Sequence, residues 1–271
     1  MPELPEVETT LRGIEPYVSG KTISDIVVRN ASLRWPIPVT ALRGLIGHAV
    51  IAIERRAKYI LLHTNSGSIL LHLGMSGSLS VVEVGRPPLK HDHLDLVFGG
   101  KHAIRLNDPR RFGCCLLILD PVMEHKLLKS LGPEPLSQDF DGDYLFDRSR
   151  HRSVALKNFI MDAKVVVGVG NIYASEALFM AGLRPAVAAK RISRKRYQIL
   201  AEAIKRVLTD AIAAGGTTLN DFTQADGKPG YFKQELQVYG RIGQQCNNCG
   251  GTIKSAMIGQ RNTFFCRVCQ S

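Results

Sequence analysis

The chain reads as an α+β protein of more than one domain: an antiparallel β-sandwich or barrel with an N-terminal helix, then a helical half, then a hairpin held by metal. Three observations predict this. Eight short β-rich runs, punctuated by Gly and Pro, fill residues 22–119. Helical periodicity dominates only after a Pro/Gly-rich acidic stretch near residue 140. The last 26 residues replace apolar periodicity with four cysteines. A length of 271 residues suits two modest domains.

Taken in order, Val7, Leu11 and Ile14 recur at helical spacing, with Pro5 suited to a first turn and Pro16 expected to end the helix. The β-rich runs cover 22–28, 50–56, 59–64, 69–73, 79–84, 94–98, 103–106 and 114–119. Residues 132–147 are expected to form an acidic linker, opening Gly132-Pro133-Glu134-Pro135. A short helix is predicted from Asn171 through 174–180, stopping at Gly182 before Pro185. The strongest pattern places Tyr197, Leu200, Ala201, Ile204, Leu208, Ala211 and Ile212 on one stripe, with Gly215-Gly216 as the stop. No long-period repeat is present.

At 45% hydrophobic and 22% charged, the chain has material for packed cores, which excludes a mainly disordered protein. No apolar run approaches the roughly 18 residues of a membrane span. The start lacks the basic-then-apolar order of a secretory signal, so a cytoplasmic location and no membrane partner are expected. A formal charge of +11 favours a polyanionic partner, nucleic acid before membrane. That charge is unevenly spread. Residues 1–147 hold 16 basic and 17 acidic side chains, and residues 148–271 hold 19 and 7. The second half is therefore expected to grip a phosphate backbone.

Cys246-Asn-Asn-Cys249, sixteen residues, then Cys266-Arg-Val-Cys269 is a C-x2-C…C-x2-C pattern. Each pair places two thiolates on one tight turn, and two turns complete a tetrahedral zinc site. Four thiolates leave no open position, so one structural Zn2+ is expected. Cys114 and Cys115 lie in an apolar run and read as core. Between the pairs, residues 260–265 are expected to form a turn and return strand; Arg261 there is either a solvated charge or a phosphate grip.

Methionine before proline is normally removed, which leaves Pro2 with a free secondary amine. Such an amine, with a pKa of about 8, is partly unprotonated at neutral pH and can attack an aldehyde-like carbon to form an iminium. Glu3 and Glu6, three apart, supply carboxyls that can act as acid/base or orient the amine. The same residues are also ordinary in the first turn of a helix, where carboxylates favour the dipole. Residue types alone leave both readings open.

Longer motifs add a resemblance. The opening Pro-Glu-Leu-Pro-Glu-Val-Glu is joined by His72-Leu-Gly-Met-Ser-Gly77, Lys90-His-Asp-His93, Asp108-Pro-Arg-Arg-Phe-Gly113, Gly168-Val-Gly-Asn-Ile-Tyr173, Glu235-Leu-Gln-Val-Tyr-Gly240 and the terminal cysteine pattern. Together, and in this order, they resemble the formamidopyrimidine-DNA glycosylase family, bacterial enzymes of 8-oxoguanine repair. The resemblance implies a bifunctional glycosylase and abasic-site lyase that excises oxidised purines from double-stranded DNA and cleaves the strand by β,δ-elimination. It implies Pro2 as the nucleophile at C1′, Glu3 as acid/base, Glu6 as a positioning carboxylate, Lys58 as proton donor in β-elimination, and Arg261 as a phosphate grip linked to δ-elimination. Arginine stays protonated at any relevant pH, which favours an electrostatic role.

A base cannot be excised from within the stack, so such an enzyme extrudes the nucleotide and fills the gap. The resemblance assigns this filling to Met75, Arg110 and Phe112: two apolar wedges and a cation for the orphaned cytosine. It further implies phosphate contacts from His72, His91, Arg152, Asn171 and Tyr239, supported by Lys157, with His93 structural. Asn171 would also cap the helix that opens a helix–two-turns–helix motif, whose N-terminus receives phosphate. Residues 215–232 resemble the family's lesion-recognition loop. Asn158 departs from the proline of many relatives. The implied layout is a catalytic sandwich over 1–131, the linker over 132–147, the helical DNA-binding domain over 148–240 and a zinc finger over 241–271, acting as a monomer. The sister class, endonuclease VIII, removes oxidised pyrimidines and usually opens Pro-Glu-Gly-Pro-Glu; Leu4, the Arg-Arg-Phe motif and the long loop favour the purine branch. A DNA-binding protein without catalysis is the reading from another class, and Pro2, Glu3, Lys58 and Arg261 argue against it.

Overall fold

Residues 2–119, 121–216 and 236–271 are described by the computed structural model. The chain divides into two units, Met1–Lys129 with Ala214–Phe232, and Ser130–Ala213 with Lys233–Ser271.

In the first unit, helix α1 (Leu4–Val18) buries Val7, Leu11, Ile14 and Val18 on one stripe. Pro16 lies inside it rather than ending it. A proline removes one N–H, and in a last turn the loss is a single bond: Ser19 N–H still reaches Glu15 O at 2.9 Å. Eight strands follow, one for each β-rich run: β1 (Ile23–Val28), β2 (Ala52–Arg56), β3 (Tyr59–Thr64), β4 (Gly67–His72), β5 (Ser78–Glu83), β6 (Asp92–Phe98), β7 (His102–Asn107) and β8 (Cys114–Ile118). They form two antiparallel four-stranded sheets, ordered β1-β6-β7-β5 and β2-β3-β4-β8.

The apolar core of this unit joins both sheets and α1, with Ile26, Leu94, Leu96 and Ile104 on one side and Ile60, Leu62, Ile69 and Leu71 on the other. Alternation along β6 sends Asp95 to the other face, where burial is tolerated because two guanidiniums share its charge. Arg105 binds both carboxylate oxygens at 2.8 Å, and Arg29 also binds both, at 3.0 and 2.5 Å. Despite that burial, the hydrogen bonds and charges of these partners hold the Asp95 carboxyl below its usual range. A short helix, α2 (Val39–Arg43), burying Leu42, was not expected; five residues are too few for a periodicity signal.

In the second unit, α3 (Gly142–Ser149), α4 (Leu156–Met161), α5 (Asn171–Met180) and α6 (Arg194–Ala213) precede the hairpin of β9 (Ile253–Ile258) and β10 (Arg261–Cys266). Helix α3 occupies residues read as linker. Its acidic composition has a local cause: Asp141 caps it, accepting Tyr144 N–H at 2.7 Å, and Asp143 and Asp147 bind Arg194 of α6 at 2.7 and 3.1 Å. Gly142 is there for contact, since a Cβ would lie 2.3 Å from the Gln198 backbone. Among the described residues no helix is long and apolar enough to cross a membrane.

Candidate active site

Glu3 occupies the N-cap of α1, and its N–H donates to Glu6 Oε2 at 2.9 Å. Pro2, Glu3 and Glu6 are all buried. The Glu6 carboxylate therefore ties down the backbone that presents Glu3 and Pro2. Gly216, with φ +82°, brings its backbone to Glu6, and a Cβ there would lie 3.4 Å from Glu6 Cα. That is the start of the expected lesion loop; residues 217–232 of it fall outside the described residues.

Lys58 sits in a two-residue β-turn between Arg56 and Tyr59, the last pair of the β2–β3 ladder. Its neighbour Ala57 has φ +56°, a left-handed conformation that costs a non-glycine residue about 1 kcal/mol. Arg55 supports the turn. Its guanidinium donates to Ala57 O at 3.0 Å and to Glu8 of α1 at 2.8 Å. One side chain thus links the helix that follows Pro2 to the turn bearing Lys58. Nothing in the sequence singled out Arg55, because its partners are 47 residues and one turn away.

His72 ends β4 opposite Tyr59, with ring centroids 4.9 Å apart. Burial first, then the charges of Lys58 and Arg34, push its pKa down to about 4. Its Nδ1 accepts Gly74 N–H at 3.0 Å, so the proton of the neutral ring is on Nε2, the tautomer suited to donate to a phosphate. Met75 and Phe112, the expected wedges, are exposed. Gly74 and Gly113 bring their loops into backbone contact: a Cβ on Gly74 would meet Gly113 N and Phe112 C at 2.5 Å. Arg110 stacks on Phe112, 4.9 Å from the ring centroid. His91 is left-handed, φ +76°, and its carbonyl accepts Asp108 N–H at 3.0 Å. Cys114 and Cys115 are buried, and desolvation, the leading cause, raises both thiols, Cys114 to about 12; they are inert core.

In the second unit, Arg261 opens β10 beside a turn of Gly259 and Gln260, both left-handed at φ +56° and +59°. That is the primed turn a two-residue hairpin prefers. A Cβ on Gly259 would lie 2.3 Å from the Asn158 amide, so the turn is seated on α4. Lys157, expected as support for phosphate contacts, is fully buried: its ammonium binds the Asn171 side chain and Thr263 Oγ1, the latter at 2.6 Å. Neutral oxygens from two elements satisfy the charge, and this ties α4, α5 and the hairpin together. It does not reach the surface to meet DNA itself.

Asn171, expected to cap α5, is the residue after the cap, Gly170; its amide instead donates to Asn262 O at 3.1 Å. Tyr239 packs edge-to-face on Phe264 with ring centroids 5.1 Å apart, and residues 237–239 donate three N–H groups to the buried Glu176 carboxylate at 2.8, 3.0 and 2.8 Å. Glu176 escaped the sequence reading because a charge on an otherwise apolar helix carries no spacing signal. Arg152 is exposed and 3.5 Å from Asp162.

The sulfurs of Cys246, Cys249, Cys266 and Cys269 lie within 4.8 Å of one another, with Cys246–Cys269 at 3.8 Å and Cys249–Cys266 at 3.5 Å. A zinc tetrahedron with bonds of about 2.3 Å needs sulfurs about 3.8 Å apart, so the four fit one structural zinc ion. Burial works against ionising both Cys266 and Cys269; the N–H groups of Cys269 and Val268 nonetheless bring Cys266 down to about 7, while Cys269 is pushed up to about 12, so protons must leave the cluster as zinc binds.

Three family models cover the chain in order: the formamidopyrimidine-DNA glycosylase N-terminal domain over residues 1–115, the H2TH domain of the same glycosylases over 131–223, and the zinc finger found in FPG and IleRS over 243–271. The formamidopyrimidine-DNA glycosylase of Alcanivorax borkumensis is 57% identical over 270 residues, covering 100% of both chains. The chain belongs to the formamidopyrimidine-DNA glycosylase family. A Lactococcus lactis member in complex with an abasic site containing DNA superposes with a TM-score of 0.91 at 32% identity, covering 99% of both chains. MutM in complex with carbocyclic 8-oxo-G containing DNA gives 0.90 at 32% identity, over 100% of both. The N-terminal sandwich, helical domain and zinc hairpin of this chain are those of the glycosylase family.

Proposed function

We propose that this chain excises oxidised purines, 8-oxoguanine and formamidopyrimidines, from double-stranded DNA and then cleaves the strand at the abasic site, as a single cytoplasmic copy. The observation that supports this is the N-terminus: a proline whose amine is free once Met1 is removed, next to a buried Glu3 whose backbone N–H donates to the Glu6 carboxylate at 2.9 Å. Pro2 nitrogen displaces the base at C1′ and gives up its proton; Glu3 then protonates O4′ as the C1′–O4′ bond breaks, and the opened sugar is held on the proline nitrogen as an iminium. The iminium acidifies C2′, and β-elimination expels the 3′ phosphate, with Lys58 donating a proton. Arg261 grips phosphate and favours the second, δ-elimination by its fixed charge. Zinc supplies no chemistry in this scheme; it holds the hairpin that bears Arg261.

Met75, Arg110 and Phe112 fill the gap left by the extruded nucleotide, and the contact between their loops supports a single wedge. His72, His91, Arg152, Asn171 and Tyr239 hold phosphates. The test is excision from duplexes bearing 8-oxoguanine opposite cytosine, run beside thymine glycol opposite adenine. Release of 8-oxoguanine at the higher kcat/KM is expected; preference for thymine glycol assigns the chain to the pyrimidine branch.

A further inference from the structure

The wedge residues lie on two loops, and one buried carboxylate touches both. Asp108 has no exposed surface. Its Oδ2 accepts Gly113 N–H at 2.7 Å, and its Oδ1 accepts Arg110 N–H at 3.3 Å and, from the Met75 loop, the Ser76 hydroxyl at 3.4 Å. The backbone of Asp108 is held as well. Its N–H donates to His91 O at 3.0 Å, while its carbonyl accepts His93 Nε2 at 2.8 Å and Arg111 N–H at 3.2 Å. Arg111 is left-handed at φ +56°, so the turn that presents Arg110 and Phe112 is one the chain adopts only when held. At the other side of the contact, His72 fixes Gly74, and Gly113 approaches so closely that a Cβ would lie 2.6 Å from His72 O.

We infer that Asp108 is a positioning residue that makes Met75, Arg110 and Phe112 one preformed gap-filling unit. This rests on the proposed glycosylase reading. A carboxylate suits the place because it is an acceptor only, and every group aimed at it is a donor. An amide of the same shape must turn an NH2 toward Gly113 N–H or toward the donors of Arg110 and Ser76, and one loop then shifts. Shifts near 1 Å in such groups cost about 100-fold in rate.

The test uses the zinc-loaded protein with Asp108→Asn and Ser76→Ala. Single-turnover excision of 8-oxoguanine opposite cytosine reports gap filling, and opposite-base preference, cytosine over adenine, reports the placement of Arg110. Borohydride trapping on a single-stranded abasic oligonucleotide, which has no stack to fill, reports the chemistry alone. Asp108→Asn is expected to lower duplex excision about 10- to 100-fold and to erode opposite-base preference, with single-strand trapping within twofold of wild type. Ser76→Ala, which loses one long bond and no buried charge, is expected to show the same pattern at about two- to fivefold and decides the matter if Asp108→Asn does not fold. Duplex excision by the folded Asp108→Asn protein within twofold of wild type, or equal loss on duplex and single strand, overturns the inference, as does an unchanged Ser76→Ala where it must decide. If wild type itself traps neither DNA, the glycosylase reading has failed instead.

Discussion

His72 shows how a single side chain takes its charge state from its surroundings. An unfolded imidazole titrates near 6.5, and in the fold burial and the cations Lys58 and Arg34 push it to about 4. The unfolded state therefore binds the extra proton first, and stability falls as pH drops from about 6.5 toward 4, by at most about 3 kcal/mol. Urea unfolding at pH 7 and pH 5 checks this: His72→Gln, which keeps an acceptor for Gly74 N–H, is expected to lose less stability over that interval than wild type. An equal loss in both proteins contradicts the assignment. Glu176 makes the complementary case. A glutamine there keeps one acceptor oxygen but turns its NH2 toward at least one of the three N–H donors, so Glu176→Gln is expected to cost about 1–3 kcal/mol in thermal or urea unfolding, more than the same change at an exposed glutamate. The four cysteines were readable because their paired spacing is rare, whereas Pro2 took its role only from the resemblance carried by the longer motifs. A role was not readable where the meaning lies in a distant partner, as for Arg55 and Glu8 or Lys157 and Thr263.

Among the elements, each of the eight strands lies on its predicted run because β-rich composition and Gly/Pro punctuation are local signals. Helix α6 was equally plain, its stripe buried at Tyr197, Leu200, Ala201, Ile204 and Leu208. Helix α3 was hidden because Gly142 and the acidic residues around it, usual marks of a loop, serve here as a close-packing point and as partners of a cap and of Arg194. The zinc hairpin carries two predictions. Cys249→Ser is expected to lose bound zinc and strand incision together, measured by metal content and cleavage assay, with the β-rich circular dichroism of the sandwich retained; incision by a zinc-free variant contradicts the role given to the hairpin. Gly259→Ala forces a Cβ into the Asn158 amide at a left-handed position, and about 1–2 kcal/mol of hairpin stability should go, read as faster zinc extraction by chelator.

For the whole molecule, charge separates what individual residues do not. The sequence up to residue 147 is close to neutral and the remainder carries 19 basic against 7 acidic side chains. Backbone grip should therefore be lost with second-half cations and hardly at all with first-half ones away from the wedge. Arg152→Gln is expected to reduce the slope of log K against log salt by about 1, and Arg86→Gln to leave it unchanged. Equal slopes for the two variants contradict the division. What gives this binding its chemistry is the N-terminal amine, and the most direct measurement of the whole account is where DNA becomes attached. Borohydride reduction during turnover of an 8-oxoguanine duplex, followed by proteolysis and mass spectrometry, is predicted to place the deoxyribose remnant on the nitrogen of Pro2, with Pro2→Gly giving far less adduct. Attachment at a lysine with Pro2 unmodified, or no adduct while DNA remains bound, contradicts it.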